Sequence, residues 1–484
     1  MAPLVETASS GSSTGAQTAE ESLVLGPARF EAEGVWVSRK RRRKRWIPYA
    51  EVTHCARSRW GYAIATTRDV TLLRRSLFAS DEEIARVDRE LRSRIAGLPG
   101  GFSQLEAMAK IEALSVHPGK TGIVYVFIAL CLFAQLLEFW DPALVHGGSF
   151  VPSLVAQGET WRVLIANFLH DTLIFPAHIL LNMVCVLSFG LLVERALGKT
   201  RTALIRGISA LGAMWGAMVA GYVEVIGASG VAAGLVGSTL CLELNVSRLL
   251  PVWSRIPRRI FILALVGQGI VDLLVPLVAG AAHLGGFAFG YVATRSLIAG
   301  GRISTAPSGL TRGLAGMIGL ALVVSLALMA PLVLRDPVAL EEHGIRVLRM
   351  PDPRVRYDNE AAWRMLTESE PTETGLDVAL FLALRAARYS DWRDPNVLDT
   401  LAEALFASGD IGGSLEVIDQ AIFLSHGHRY FVQQRQRFSG QRDPDDRPDP
   451  PEEGWYRQVP DALEDPAPGQ PRIEPAEPGE SAWI

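Results

Sequence analysis

Gly227-Ala228-Ser229-Gly230 opens one long apolar run of the chain, and Ala282-His283-Leu284-Gly285-Gly286 opens another. Each run has roughly the 20 residues that cross a bilayer as a helix. Polar and ionisable side chains are costly in hydrocarbon, so a serine and a histidine kept at the same end of two such runs point to a function. If the two helices run in the same direction, both residues reach the same depth and can meet.

The remaining runs give the directions. Apolar stretches lie at 121–139, 177–195, 202–222, 228–247, 259–278, 281–299 and 311–334. Arg195, Lys199, Arg201 and Arg206 lie at or near the junction of the second and third; Arg248, Arg255, Arg258 and Arg259 at that of the fourth and fifth; Arg295, Arg302 and Arg312 at that of the sixth and seventh. The alternate loops carry Arg162. Basic loops stay in the cytosol. This predicts a cytosolic amino terminus, a chain that leaves the seventh span on the outer side, and second, fourth and sixth spans that all run from outside to inside. His178, Ser229 and His283 then share one depth near the outer face.

Composition fits several spans plus water-soluble parts: 49% of the 484 residues are hydrophobic and mean hydropathy is +0.21. The net charge of −4 hides an asymmetry, because the chain from Arg335 onward carries −13 and the part before it +9. Two ends in different environments are implied. Cys55, Cys131, Cys185 and Cys241 have neither metal-site nor disulfide-framework spacing, and neither metal nor cofactor is expected. Residues 1–22 are small and polar, lack the apolar region of a signal peptide, and read as disordered.

Residues 23–99 read as a cytosolic α+β domain. Phe30–Val37, Trp46–Val52 and Tyr62–Thr67 have strand alternation, and Asp81–Gly97 an amphipathic helical pattern. Strands closed by one helix resemble a pleckstrin-homology-like module. The basic run Arg39–Arg45 suits anionic headgroups, or equally a solvated hairpin tip. In the region 355–438, Asn396–Ser408 and Gly413–Leu424 read as a helical hairpin of tetratricopeptide-like type, with 360–390 as a degenerate neighbour. Residues 439–484 are acidic and proline-rich and read as disordered.

The chemistry follows from residue types. A serine hydroxyl becomes a useful nucleophile when a base takes its proton, and His283 is the candidate base for Ser229. Gly230 and Gly234 on one helix and Gly286 and Gly290 on the other are small-xxx-small repeats, which let transmembrane helices approach closely. The first turn of a helix offers unpaired N–H groups and the positive end of its dipole. His178 and Asn182, four residues apart, share a face from which both can donate to a negative oxygen.

These residues resemble the rhomboid family of intramembrane serine proteases. The resemblance covers residues 118–300 and includes Trp161-Arg162, His178-x-x-x-Asn182, Gly190 with Glu194 and Gly198, Gly227-x-Ser229-Gly230, and Ala282-His283-x-x-Gly286-x-x-x-Gly290. It implies a six-helix core extended by a seventh span at 308–334. It also implies a Ser229–His283 dyad with no acidic third member, and an oxyanion hole of His178, Asn182 and the Ser229 backbone. Two departures stand out. Ala233 occupies the place where the family usually has an aromatic ring against the histidine, and seven residues, 171–177, separate His170 from His178 where the family has fewer.

An intramembrane endopeptidase cleaving single-span membrane substrates is therefore expected, in the bilayer of a bacterial inner membrane by its arginine-rich composition. A protein partner for the helical tail is expected, and no nucleic acid. The alternative is a catalytically inactive relative that binds or scaffolds membrane clients; such relatives typically lack the serine or the histidine, and this chain has both. A transporter would need ionisable groups deep in its spans, where Asp272 is the one internal carboxylate away from helix ends.

Overall fold

Alternating apolar side chains near the amino end fold into two antiparallel sheets in the computed structural model, which describes residues 22–40, 43–58, 60–67, 70–115, 121–170, 175–250, 256, 258–275, 278–298 and 306–449. One sheet runs β1 (Leu23–Leu25), β2 (Ala28–Phe30), β3 (Gly34–Lys40), β4 (Arg43–Pro48); the other β5 (Val52–Ser58), β6 (Gly61–Thr66), β7 (Val70–Arg74). Phe30, Val35, Val37, Ile47, Tyr62, Ile64 and Leu73 bury against Ile84, Val87, Leu91 and Ile95 of α1 (Asp81–Ala96). Ser80 caps that helix by accepting from Glu83 N at 3.2 Å. The sequence pattern at 30–37 is two strands rather than one, because a turn closes between Glu31 N and Gly34 O at 2.9 Å. The pattern at 46–52 stops at Pro48, which has no N–H for a ladder. Most of the basic run 39–45 lies outside the described side chains.

The chain divides into two compact units, one of residues 1–150 and 162–324, the other of 151–161 and 325–484. In the first, α2 (Gly101–Ser115) leads to α3 (Ile123–Trp140), then the short α4 (Ala143–Gly148) and α6 (Arg162–Ile165), with α5 (Pro152–Ala156) between them belonging to the second unit. There follow α7 (Ala177–Leu197), α8 (Lys199–Val219), α9 (Ser229–Val246), α10 (Arg258–Leu274), α11 (Gly280–Leu297) and α12 (Gly309–Val333), whose last residues fall to the second unit.

Five of these helices, α3, α7, α8, α9 and α12, are long and apolar enough to cross a membrane. The expected spans at 259–278 and 281–299 are helices, but α10 has 17 residues and α11 is diluted by glycines, His283, Thr294 and Arg295. In α11 small residues do the work that apolarity does elsewhere. It packs against both α8 and α9 through glycines, and close backbone contact holds transmembrane helices together where no hydrophobic gradient exists.

Two buried charges fix the frame. Glu194, at the end of α7, accepts from Gly122 N, Ile123 N and Val124 N at 2.6, 3.0 and 3.1 Å, satisfying the open donors at the start of α3. Arg162, fully buried, donates through one guanidinium nitrogen to the carbonyls of His146 and Ser149 at 2.7 and 2.8 Å.

The second unit is helical: α13 (Pro337–Leu348), α14 (Val355–Thr367), α15 (Glu373–Tyr389), α16 (Pro395–Ala407), α17 (Ile411–Leu424) and α18 (Arg429–Phe438), each packed on the next. Asp336, Thr372, Asp394 and Asp410 cap four of them. Glu159, fully buried, accepts from His343 Nδ1 at 2.7 Å, with Arg346 at 3.7 Å, so residues 151–161 are part of this unit. Residues 440–449, which composition assigns to a disordered tail, are folded back: Arg447 pairs with Glu403 at 2.9 Å and Arg437 donates to Pro444 O at 3.0 Å. Composition misses this because Glu403, buried beside Arg437, draws in a second arginine.

Candidate active site

Ser229 is the first residue of α9, His178 the second of α7 and His283 the fourth of α11, so all three sit in first turns. Neither a distance nor a bond needs to be assumed to bring α9 and α11 together, because the glycines fix their register. A Cβ on Gly286 would overlap the Gly230 carbonyl oxygen, and one on Gly290 the Gly234 carbonyl. Ser238 Oγ bridges the pair further along, donating to Gly290 O at 3.1 Å. Residue numbers rise together on both helices, so they run in the same direction. Gly230 faces the stretch from Ala282 to Gly286, which places Ser229 level with His283.

The other face of α11 meets α8. Cβ atoms on Gly212 and Gly216 would overlap Phe289 and the Ala281 carbonyl, and the rising numbers of one helix meet falling numbers of the other. Three helices thus share one glycine-lined seam, whose α8 side the sequence motifs did not single out.

The turn before Ser229 is held by a chain of buried polar groups. Gly227 has φ +115°, a conformation that favours glycine, and its N–H donates to Ala166 O at 2.9 Å. Ala228 N lies 3.5 Å from His170 Nε2, and His170 Nδ1 lies 3.2 Å from Phe168 O. The carbonyl requires a donor, so the proton sits on Nδ1 and Nε2 accepts. The His170 backbone N–H donates to Glu138 Oε1 at 2.9 Å, and Gln135 donates to the other oxygen at 2.9 Å. His170 is fully buried; that burial first, and His178 beside it, push its pKa down to about 4. The ring stays neutral and keeps its accepting nitrogen.

His178 and Asn182 come together beside the motif. A Cβ built on Gly227 would stand 2.9 Å from His178 Nε2 and 3.6 Å from Asn182 Nδ2. Among the described residues Asn182 Nδ2 is buried with no hydrogen-bond partner. An unsatisfied buried donor costs stability. The longer spacing between His170 and His178 does not part them, since their rings meet edge-on with centroids 5.2 Å apart. Trp161 is buried at the end of the loop segment, Arg162 ties the loop carbonyls, and Glu194 caps α3.

A family model described as the rhomboid domain matches residues 157–300. Over residues 157–300 the chain is similar to the rhomboid domain. The chain is 30% identical over 202 residues to the rhomboid protease GluP of Bacillus subtilis (strain 168), covering 40% of this chain and 38% of that protein. It is 33% identical over 230 residues to RHOMBOID-like protein 4 of Arabidopsis thaliana, covering 44% and 56%. With Rhomboid-like protease 1 of Toxoplasma gondii identity is 29% over 126 residues, covering 24% and 40%. The chain thus spans between about two fifths and just over half the length of these relatives. Together with the apolar helices, the rhomboid domain makes this an integral multi-pass membrane protein.

Within the rhomboid domain the structure adds a group that the motifs did not name as part of the site. Asp272 of α10 has Oδ1 2.9 Å from His283 Nδ1 and accepts from Gln268 Nε2 at 2.7 Å. The resemblance implied no acidic third member. A carboxylate in an apolar span was the available signal, and it drew attention as a transport feature instead.

Proposed function

We propose that the chain is an intramembrane serine endopeptidase with Ser229 as nucleophile and His283 as general base. The observation that carries this is the parallel α9–α11 seam, which sets Ser229 level with His283. In the proposed reaction His283 takes the Ser229 hydroxyl proton as Oγ attacks the scissile carbonyl. The resulting oxyanion takes hydrogen bonds from the Ser229 N–H, the waiting Asn182 amide and His178. His283 then passes the proton to the leaving amine, and water hydrolyses the acyl-enzyme by the same steps in reverse order.

Substrates are proposed to be membrane-anchored proteins cut in or near their transmembrane helix. Charge asymmetry of the loops supports a cytosolic amino terminus and an extracytoplasmic tail in a bacterial inner membrane. Two sheets closed by α1 support the pleckstrin-homology-like reading of the first domain, and the successive hairpins of α14–α17 support a tetratricopeptide-like, partner-binding role for the tail.

The test is covalent. A fluorophosphonate probe is expected to label Ser229 in the full-length protein in detergent, and Ser229→Ala and His283→Ala each to abolish cleavage of a model transmembrane substrate. Residues acting as a unit are not additive, so the double variant should be little worse than either single one. Full cleavage by either single variant sinks the assignment.

A further inference from the structure

We propose that the folded-back segment 440–449 is a ligand in cis: it fills a recognition groove of the tail built for an arginine-bearing protein segment, and closes it until a partner displaces it. The inference rests on the partner-binding reading of the tail given above. The groove is lined by α14 and α16, the first helices of two successive hairpins, and by α18, which continues the row. α14 touches α16 and α16 touches α18, and the segment crosses all three. Arg447 donates to Glu403 of α16 at 2.9 Å, with its guanidinium 6.0 Å from the centre of the Trp363 ring of α14. Arg437 of α18 donates to the carbonyl of Pro444 at 3.0 Å. Stacked helical pairs form extended surfaces of this kind and use them to hold other chains.

Each contact reads a different part of the segment. Glu403 is buried and uses its two oxygens on two guanidinium groups, that of Arg437 in the helical row and that of Arg447 in the segment. A buried carboxylate is costly unless its charge is met and its oxygens are hydrogen-bonded, so Glu403 selects a cation at the place of Arg447. The Trp363 ring favours a planar guanidinium there over a compact, strongly hydrated ammonium. Arg437 reads main chain, because its partner is the carbonyl three residues before the arginine. Pro448, directly after the arginine, is buried, while Asp443, Asp445 and Asp446 are exposed and left unread. The ligand class is therefore a segment whose arginine follows an accepting carbonyl by three residues and precedes a small apolar residue. Its hold in cis is loose enough for exchange. The Arg447 side chain is 31% exposed, and among the described residues its Nε is buried without a partner, which costs stability.

The experiment uses full-length protein in detergent and a fluorescent peptide of residues 440–449, with binding read by anisotropy and the unfolding temperature of each variant measured alongside. In wild type the tethered segment competes at a high effective concentration, so the peptide should bind weakly. Arg447→Ala, which leaves the Glu403–Arg437 pair in place, is expected to bind it about tenfold more tightly or better at an unchanged unfolding temperature. The peptide carrying Arg447→Ala should bind that protein about tenfold more weakly or worse than the unaltered peptide. Glu403→Gln added to the Arg447→Ala protein should remove the preference between the two peptides. Should that variant melt early, the peptide-side substitution decides, since it cannot unfold the protein. Equal affinity of wild type and Arg447→Ala for the peptide overturns the proposal, and so does equal binding of the two peptides by Arg447→Ala. In the last case the tail still holds a peptide, and the partner-binding reading stands without the arginine chemistry. If a folded Arg447→Ala protein binds neither peptide, the partner-binding reading of this face falls with the proposal.

Discussion

His170 shows how much one side chain decides. Its accepting nitrogen holds the Ala228 N–H next to the proposed nucleophile, and its protonation would turn that nitrogen into a donor facing a donor. With a folded pKa lowered to about 4, against an ordinary 6.5, the unfolded chain binds the proton first as the solution is acidified. The stability this contributes is complete above pH 6.5 and is lost as pH falls towards 4. The unfolding temperature of the full-length protein in detergent should therefore fall between those values. His170→Gln, which keeps an acceptor but does not titrate, should show a shallower fall. Equal slopes for the two proteins would mean that other groups govern the acid response.

At the scale of elements, the seam between α9 and α11 is built from the absence of side chains. Gly286 and Gly290 meet carbonyls of Gly230 and Gly234, so an added methyl has backbone before it and no flexible atom to displace. Gly286→Ala is expected to cost about 1–3 kcal/mol of stability by overpacking and to lower cleavage by driving the serine and histidine helices apart. A thermal melt and a cleavage assay check it; unchanged values in both would mean the helices approach less closely than described. The same seam explains what was legible in the sequence. Ser229, His283 and their glycines stand out because polar and small residues interrupt apolar runs. Asp272 stands out too, but its pairing with His283 does not, because the two lie 11 residues apart across the break between α10 and α11, and helical spacing carries no information through a break. Nor did the role of His170, whose bond to Ala228 spans 58 residues. Hydropathy undercounts α11 for the reason that makes it central: its glycines trade apolar area for contact. In the first domain, Pro48 and the turn at Glu31 cut strands that alternation alone ran together.

For the whole molecule, the decisive fact is that residues 151–161 fold with the chain after 325. Glu159 precedes Trp161-Arg162 and lies between α3 and α7; His343 follows α12. Their bond at 2.7 Å, with Glu159 fully buried, requires that both residues lie on one side of the membrane. The loop charges independently support the proposal that this side is the outer one, since Arg162 is the basic residue of the α3–α7 loop, while the arginines concentrate in the loops at the opposite helix ends. Two separate lines, one of charge and one of contact, thus give the same expectation for the tail. A phosphatase fused after residue 340 should be active, and one fused at 200 or 250 inactive. Glu159→Gln should loosen the second unit, because it leaves His343 facing a group that no longer bears charge, and the tail should become more sensitive to added protease. A cytosolic signal at 340 would be the more damaging result. It would contradict the charge argument, and it would also mean that Glu159 and His343 cannot meet in the inserted protein.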